Sequence, residues 1–292
     1  MSRILVTGAT GQLGKEVIQQ LISRGSSNSI AALARDPEKV SDLKEKGVEI
    51  RIADYDSYES LVAAFRGVDK LYFVSGNDIN NRLEQHKNVV KAAKEAKVGH
   101  IFYTSFTRKN ETSDSPIAFL SESHIKTEQL IKESGISYTI LKHTVYMEIL
   151  PMFLGDKIAE SGTIYLPAGS GRVSFLTRND MALLAAALLD KDTTQSSEYE
   201  VAGSSTTSFT EIAEQLSTVF GKKIGYVSPS NQEYASTLTN AGVPAEYVGL
   251  MAGFAEGFKQ GEFDVTSNLI SEITGKTPTS VQEFLDNTYA NR

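Results

Sequence analysis

Along the first 143 residues, short unbroken apolar runs alternate with longer stretches in which apolar residues recur every three or four positions. RILVTG, SIAALAR, GVEIRIAD, DKLYFVSG, VGHIFYTS and SYTILK have strand length and are rich in β-branched or aromatic residues. The spacing predicts helices over 12–24, 37–46, 57–66, 79–96 and 120–134. Gly47, Gly67, Gly99 and Gly135 follow the last four, where helices end. Continuous apolar strands separated by helices make a parallel sheet covered on both faces, so residues 1–150 are expected to form a doubly wound α/β domain.

After about residue 142 the rhythm breaks. TVYMEILPMFLGD is aromatic and Met-rich, and GTIYLPAGSGRVSFLT reads as strand, turn and strand. RNDMALLAAALLD reads as a helix capped by Asn179 or Asp180. EYEVAG, SFTEIAEQLSTVFG and KKIGYVS add strand, helix and strand, and NAGVPAEYVGLMAGFAEGFKQGEF is helical with glycine breaks. Residues 151–292 are expected to be mainly a smaller C-terminal α+β lobe, with some segments free to return to the first sheet.

VTGATGQLGKEVIQQLI places Gly8, Gly11 and Gly14 between the first strand and the first helix. One glycine permits the tight turn, one lets a pyrophosphate approach the backbone, and one lets helix and strand pack closely. The helix N-terminus then offers free N–H groups to phosphates. In that strand–turn–helix context the triplet predicts a dinucleotide site and a Rossmann-type sheet. The second strand ends in Arg35, which suits the 2′-phosphate of NADP, whereas an acid there would suit NAD. Asp36 is adjacent and keeps NAD open. Asp54, ending the third strand, is placed to meet the adenine edge or to cap the next helix.

A net charge of -7 and a pI near 5.3 argue against a general nucleic-acid partner. The chain has no cysteine, which excludes disulfides and a thiolate nucleophile. The start resembles no secretion signal and no apolar run reaches membrane-span length, so a soluble cytoplasmic protein, monomer or homodimer, is expected.

TGATGQLG, RIADYDS, GVDKLYFVSG, EQHKNVVKAAKEAKV, FYTS and HIKTEQLIKESGISYTIL resemble the atypical, NmrA-like branch of the short-chain dehydrogenase/reductases. Within it they are similar to bacterial NADPH:quinone oxidoreductases (type 2) and triphenylmethane reductases. The resemblance implies NADPH as hydride donor and a substrate cleft between Rossmann domain and small lobe. It places cofactor contacts on Gly8, Thr10, Gly11, Gln12, Leu13, Gly14 and Arg35, then Val74, Ser75 and Gly76, then Thr104 and Ser105. Typical superfamily members carry Tyr-x-x-x-Lys on the helix after strand five, and here no such pair is expected. Where the quinone reductases tend to have Arg-Asn, this chain reads Lys142-His143.

The missing pair bears on the acceptor. Hydride transfer to a ketone develops an alkoxide whose conjugate acid is about as weak as water, pKa about 15.7, whereas a quinone yields a phenolate near pKa ~10. That gap is worth about 8 kcal/mol of charge stabilisation at 1.36 per unit. A quinone can therefore be reduced by orientation and solvent protons, and a dye cation develops no oxyanion at all. Ser105 is a candidate catalytic donor or a loop cap. His143 is a candidate proton donor or nicotinamide contact, or a packed histidine. Tyr146, Met147 and Phe153 form either an acceptor wall or core. His124 and Glu128 stand one helical turn apart and read as a surface pair or cleft rim, with Glu122 and Glu133 as solvated surface. No third ligand supports a metal. The functions expected are an NAD(P)H-dependent quinone reductase, a dinucleotide-binding redox sensor without turnover, or a reductase of triphenylmethane or azo dyes.

Overall fold

A computed structural model describes residues 2–25, 29–155, 157–191 and 194–290. The first half alternates β1 (Ile4–Val6), α1 (Gln12–Ser23), β2 (Ile30–Ala34), α2 (Ser41–Glu45), β3 (Glu49–Ile52), α3 (Tyr58–Phe65), β4 (Lys70–Phe73), α4 (Arg82–Glu95), β5 (His100–Phe106), α5 (Ala118–Ser134) and β6 (Ser137–His143). There follow β7 (Val145–Tyr146), α6 (Leu150–Leu154), α7 (Ile158–Ser161), β8 (Thr163–Tyr165), β9 (Arg172–Val173), β10 (Phe175–Leu176) and α8 (Arg178–Leu189). The chain continues with β11 (Ser197–Val201), β12 (Thr207–Ser208), α9 (Phe209–Phe220), β13 (Gly225–Val227), α10 (Asn231–Asn240), α11 (Ala245–Lys259), α12 (Leu269–Thr274) and α13 (Val281–Tyr289).

The main sheet has seven strands in the order β11-β6-β5-β4-β1-β2-β3, and every pairing is parallel. β1 and β4 are neighbours although β2 and β3 lie between them in chain order, so the connections reverse there. Ligands of such sheets bind outside the carboxyl ends of the strands at this reversal. Apolar strand residues pack α1 and α8 on one face and α3 and α4 on the other. A second core, built from α6, α9, α11 and the short strands, lies beyond the carboxyl end of the sheet.

Several local expectations are corrected. Residues 37–40 form a 3-10 turn before α2, capped by the Asp36 side chain, which accepts from Glu38 N–H. The left-handed residue ending α4 is Lys97 rather than Gly99. Gly99 is needed for space, since a Cβ there would stand 2.9 Å from Asp69 O. Thr177, not Asn179 or Asp180, caps α8 by accepting from Asp180 N–H. β8, β9 and β10 do not pair with one another; each finds a distant partner, β13, β12 and β7. α11 runs unbroken through Gly249, Gly253 and Gly257. Cβ atoms on the last two would lie 2.7 Å from the Phe119 ring and 2.9 Å from Ile117, so these glycines let α11 press against the start of α5.

Candidate functional site

The glycine loop forms one end of a cleft of about 930 Å³ at the carboxyl edge of the sheet. Gly8 adopts φ 62°, a left-handed conformation, and its carbonyl accepts from Gly11 N–H at 2.9 Å. A Cβ on Gly14 would stand 2.3 Å from that carbonyl, so no other residue fits where α1 crosses the loop. No side chain caps the N-terminus of α1. A bare helix start behind a glycine-bounded turn is a cradle that fits a pyrophosphate. Thr10, Gly11, Gln12, Leu13 and Gly14 line this end of the cleft. Arg35 and Asp54 line its far side, their charged groups 4.0 Å apart, and the Arg35 side chain is 79% exposed. Asp54 accepts from Asp56 N–H and does not cap α3, whose N-cap is Ser57.

The loop after β4, Val74 to Gly76, forms the floor and is tied from both sides. The Tyr55 hydroxyl donates to Val74 O at 2.7 Å and meets the Thr7 hydroxyl at 2.6 Å. Val74 N–H in turn donates to Thr7 Oγ1. Gly76 N–H donates to His86 Nε2 at 2.9 Å, which leaves the ring proton on Nδ1, facing Thr127 Oγ1 at 2.8 Å. Burial, reinforced by the nearby Arg82 guanidinium, pushes the His86 pKa down to about 3, so this strut is neutral. Arg82 Nε donates to Gly76 O at 2.7 Å. Thr104, expected among the contacts, lies behind this floor, buried, its hydroxyl accepting from Ser75 N–H.

Of the two expectations for His124 and Glu128, the surface pair fails, since both are buried, while the cleft lining holds for His124 only. Glu128 receives both terminal nitrogens of Arg108, at 2.7 and 2.8 Å, and the hydroxyl of Ser105. Ser105 lines the cleft, but its proton is directed at the carboxylate, away from any acceptor. His124 also lines the cleft. Its Nε2 accepts from Arg82 Nη1 at 3.4 Å, so Nδ1 carries the proton toward the Tyr103 hydroxyl at 2.8 Å. Burial, then the Arg82 charge, holds His124 well below the usual histidine range. The Tyr-x-x-x-Lys spacing does occur, at Tyr138 and Lys142, but on β6, where a four-residue step spans about 13 Å and neither residue lines the cleft.

His143 lines the cleft, is buried, and among the described residues has no hydrogen-bond partner at either ring nitrogen. Burial lowers its pKa to about 3, so at neutral pH it is a neutral imidazole able to donate one hydrogen bond, not an imidazolium acid. Tyr146 lines the cleft with Arg178 laid 4.0 Å over its ring, so one of its faces is already covered. Met147 and Phe153, expected at the acceptor, are core residues of the smaller lobe. The apolar wall is instead built from Phe106, Leu120, Ile149 and Phe254. Sequence reading also missed Arg82 and Arg178. Both occupy the first position of a helix, where the dipole disfavours a cation, and that anomaly was the available signal. Among the described residues no group of three or more His, Cys, Asp or Glu could hold a metal, and no helix is long and apolar enough to cross a membrane.

Residues 1–285 match the NmrA-like family model. The chain is 33% identical over 288 residues to quinone oxidoreductase 2 of Escherichia coli strain K12, spanning 98% of each. It is 31% identical over 244 residues to NAD(P)H azoreductase of Xenophilus azovorans, spanning 82% of each. The structure of Citrobacter sp. triphenylmethane reductase complexed with NADP(H) superposes with a TM-score of 0.88 at 38% identity, covering 98% of this chain and 99% of that one. The E. coli quinone oxidoreductase complexed with NADPH gives 0.89 at 33% identity, with 98% and 99% covered.

Proposed function

The chain belongs to the NmrA-like family, and we propose that it is an NADPH-dependent oxidoreductase that reduces quinones by direct hydride transfer. One observation carries this reading: a cleft with a dinucleotide cradle at one end has an aromatic wall at the other and no Tyr-Lys pair between them. The buried histidines that reach it, His124 and His143, are held well below the usual histidine range by burial, Ser105 is committed to Glu128, and α5 supplies no Tyr-Lys pair. Such a site suits an acceptor that becomes a stabilised anion and takes its proton from water.

The residues divide the work by position. Gly8, Gly11, Gly14 and the start of α1 would hold the pyrophosphate, Arg35 the 2′-phosphate, and Asp54 the adenine side. The strutted Val74–Gly76 loop would support the cofactor from below. His143 would donate its unpaired N–H to the carboxamide or to the acceptor. When bound, NADPH supplies the hydride. Phe106 and Phe254 would lie against a flat ring and exclude water from it.

The test is NADPH oxidation by the purified protein with a small benzoquinone. No rate above background with NADPH binding intact would replace this reading with that of a redox sensor. Arg35→Ala should weaken NADPH about tenfold more than NADH, as expected for loss of an exposed charged contact. Equal losses would refute the 2′-phosphate assignment.

A further inference from the structure

Two arginines are almost equally buried beside the cleft, Arg82 at 7% and Arg108 at 8% exposure. Their surroundings differ. Arg108 is neutralised by Glu128 in a two-pronged pair and by Glu111. Arg82 has only neutral partners: Gly76 O, Ser123 Oγ and His124 Nε2. No carboxylate lies within 4.0 Å of it among the described residues, and its Nη2 donates to no described group. Asp78, the acid nearest enough to be felt, gives its carboxylate to Asn81 at 2.8 Å. A buried guanidinium without a counter-charge is costly, and binding an anion would offset that cost. Its position at the start of α4 adds the positive end of a helix dipole.

Arg82 points toward the acceptor end of the cleft. It contacts His124, whose ring lies 6.0 Å from that of Phe106 in the aromatic wall. Resting on the reading given above, we propose that Arg82 is a catalytic residue that donates a hydrogen bond to the oxyanion formed on the acceptor, and thereby selects quinones over cationic dyes. The quinone gains two electrons and one hydrogen as hydride, becomes a hydroquinone monoanion, and then takes a proton from water. The guanidinium gains an ionic partner only after hydride has moved, so the stabilisation falls on the charge-developing state. A triarylmethyl cation enters charged and leaves neutral. Arg82 repels it on entry and has nothing to stabilise on reduction.

The test compares wild type, Arg82→Gln and Arg82→Lys in NADPH affinity, in kcat/KM at saturating NADPH for a benzoquinone and for a triphenylmethane cation, and in binding of 4-nitrophenol. The last mimics the hydroquinone monoanion and reports its ionisation by colour. Arg82→Gln should lose about 30-fold with quinone, which is about 2 kcal/mol. With the dye it should lose nothing or gain. Wild type should take up 4-nitrophenol as the phenolate, its pKa displaced downward; Arg82→Lys should retain part of that displacement and Arg82→Gln none. Equal losses with both acceptors, or a fall confined to NADPH affinity, would show that Arg82 serves only the Gly76 loop and overturn the proposal. Absence of the displacement in wild type overturns it without any variant. Absence of quinone turnover in wild type defeats the functional reading instead, while phenolate binding still judges the guanidinium.

Discussion

The Arg108–Glu128 pair offers a decisive perturbation. Their side chains are 2% and 5% exposed, and the two oxygens and two nitrogens meet at 2.7 and 2.8 Å. Removing one partner of such a pair leaves an uncompensated buried charge and costs about 3–5 kcal/mol, whereas replacing both with apolar groups of similar volume is often neutral. Glu128→Leu leaves Arg108, among the described residues, with one ion pair, to Glu111, whose side chain is 57% exposed and therefore weakly stabilising, and with the more distant Glu200. At about 2 °C per kcal/mol for a chain of this size, the melting temperature should fall by about 6–10 °C. Arg108→Met should fall similarly, and the double variant should recover most of the loss. The Ser105 hydroxyl faces the cleft and can turn to water, so its lost acceptor adds little. The assay is thermal and urea unfolding of the four proteins as a double-mutant cycle. A coupling energy below about 1 kcal/mol would refute the claim that the pair is desolvated and mutually dependent.

Gly14→Ala should abolish detectable NADPH binding by fluorescence titration, because its Cβ meets backbone at 2.3 Å; affinity within about threefold of wild type, about 0.6 kcal/mol, would contradict the cradle. Gly257→Ala should destabilise by about 1–3 kcal/mol through Ile117 and Phe263, whereas Gly253→Ala should be near neutral. There the Phe119 ring is 41% exposed and can swing aside, and alanine returns about 1 kcal/mol of helix propensity; equal denaturation midpoints would refute this contrast. His86 and His143 are lowered to about 3 and His100 to about 4, so the unfolded chain binds protons that the folded chain refuses. Stability should hold above pH ~6.5 and decline below it, reaching a loss of about 2 kcal/mol per histidine by pH ~5. Circular dichroism across that window would expose the error if urea midpoints stayed flat to pH ~4.5.

The centre of the sheet was legible because both of its faces are covered, so β1, β2 and β4 read as apolar runs regardless of their partners, whereas the edge strands β3 and β11 carry polar residues between apolar ones. The helices between them carry their own periodicity. What was not legible depends on partners far along the chain. His124 and Glu128 have the same spacing whether their face meets water or Arg108, twenty positions away in sequence, so burial could not be inferred from the helix alone. Glycines in α11 read as breaks because propensity is local, while the close approach they permit involves Ile117 and Phe119. Met147 and Phe153 are apolar residues that suit a core or a cleft equally well, and only the path of α11 decides for core. The positive contribution of the missing Tyr-Lys pair lies in what replaces it: neutral histidines and one unpaired arginine on the cleft side of α4 and α5.

β11 pairs with β6 from Ser197 opposite Thr139 to Val201 opposite His143, after residues 144–196 have passed elsewhere. During synthesis, β6 must therefore wait as a bare edge of an apolar sheet until β11 leaves the ribosome, some seconds later at about 5–20 residues per second. A chain cut near residue 150 would keep that edge permanently and should self-associate. The nucleotide cradle is complete early in translation, but the sheet beneath it is sealed only by a strand from the second half. This non-local closure makes the last parallel pairing a natural slow step in folding and the exposed edge of β6 the point where a chaperone would bind.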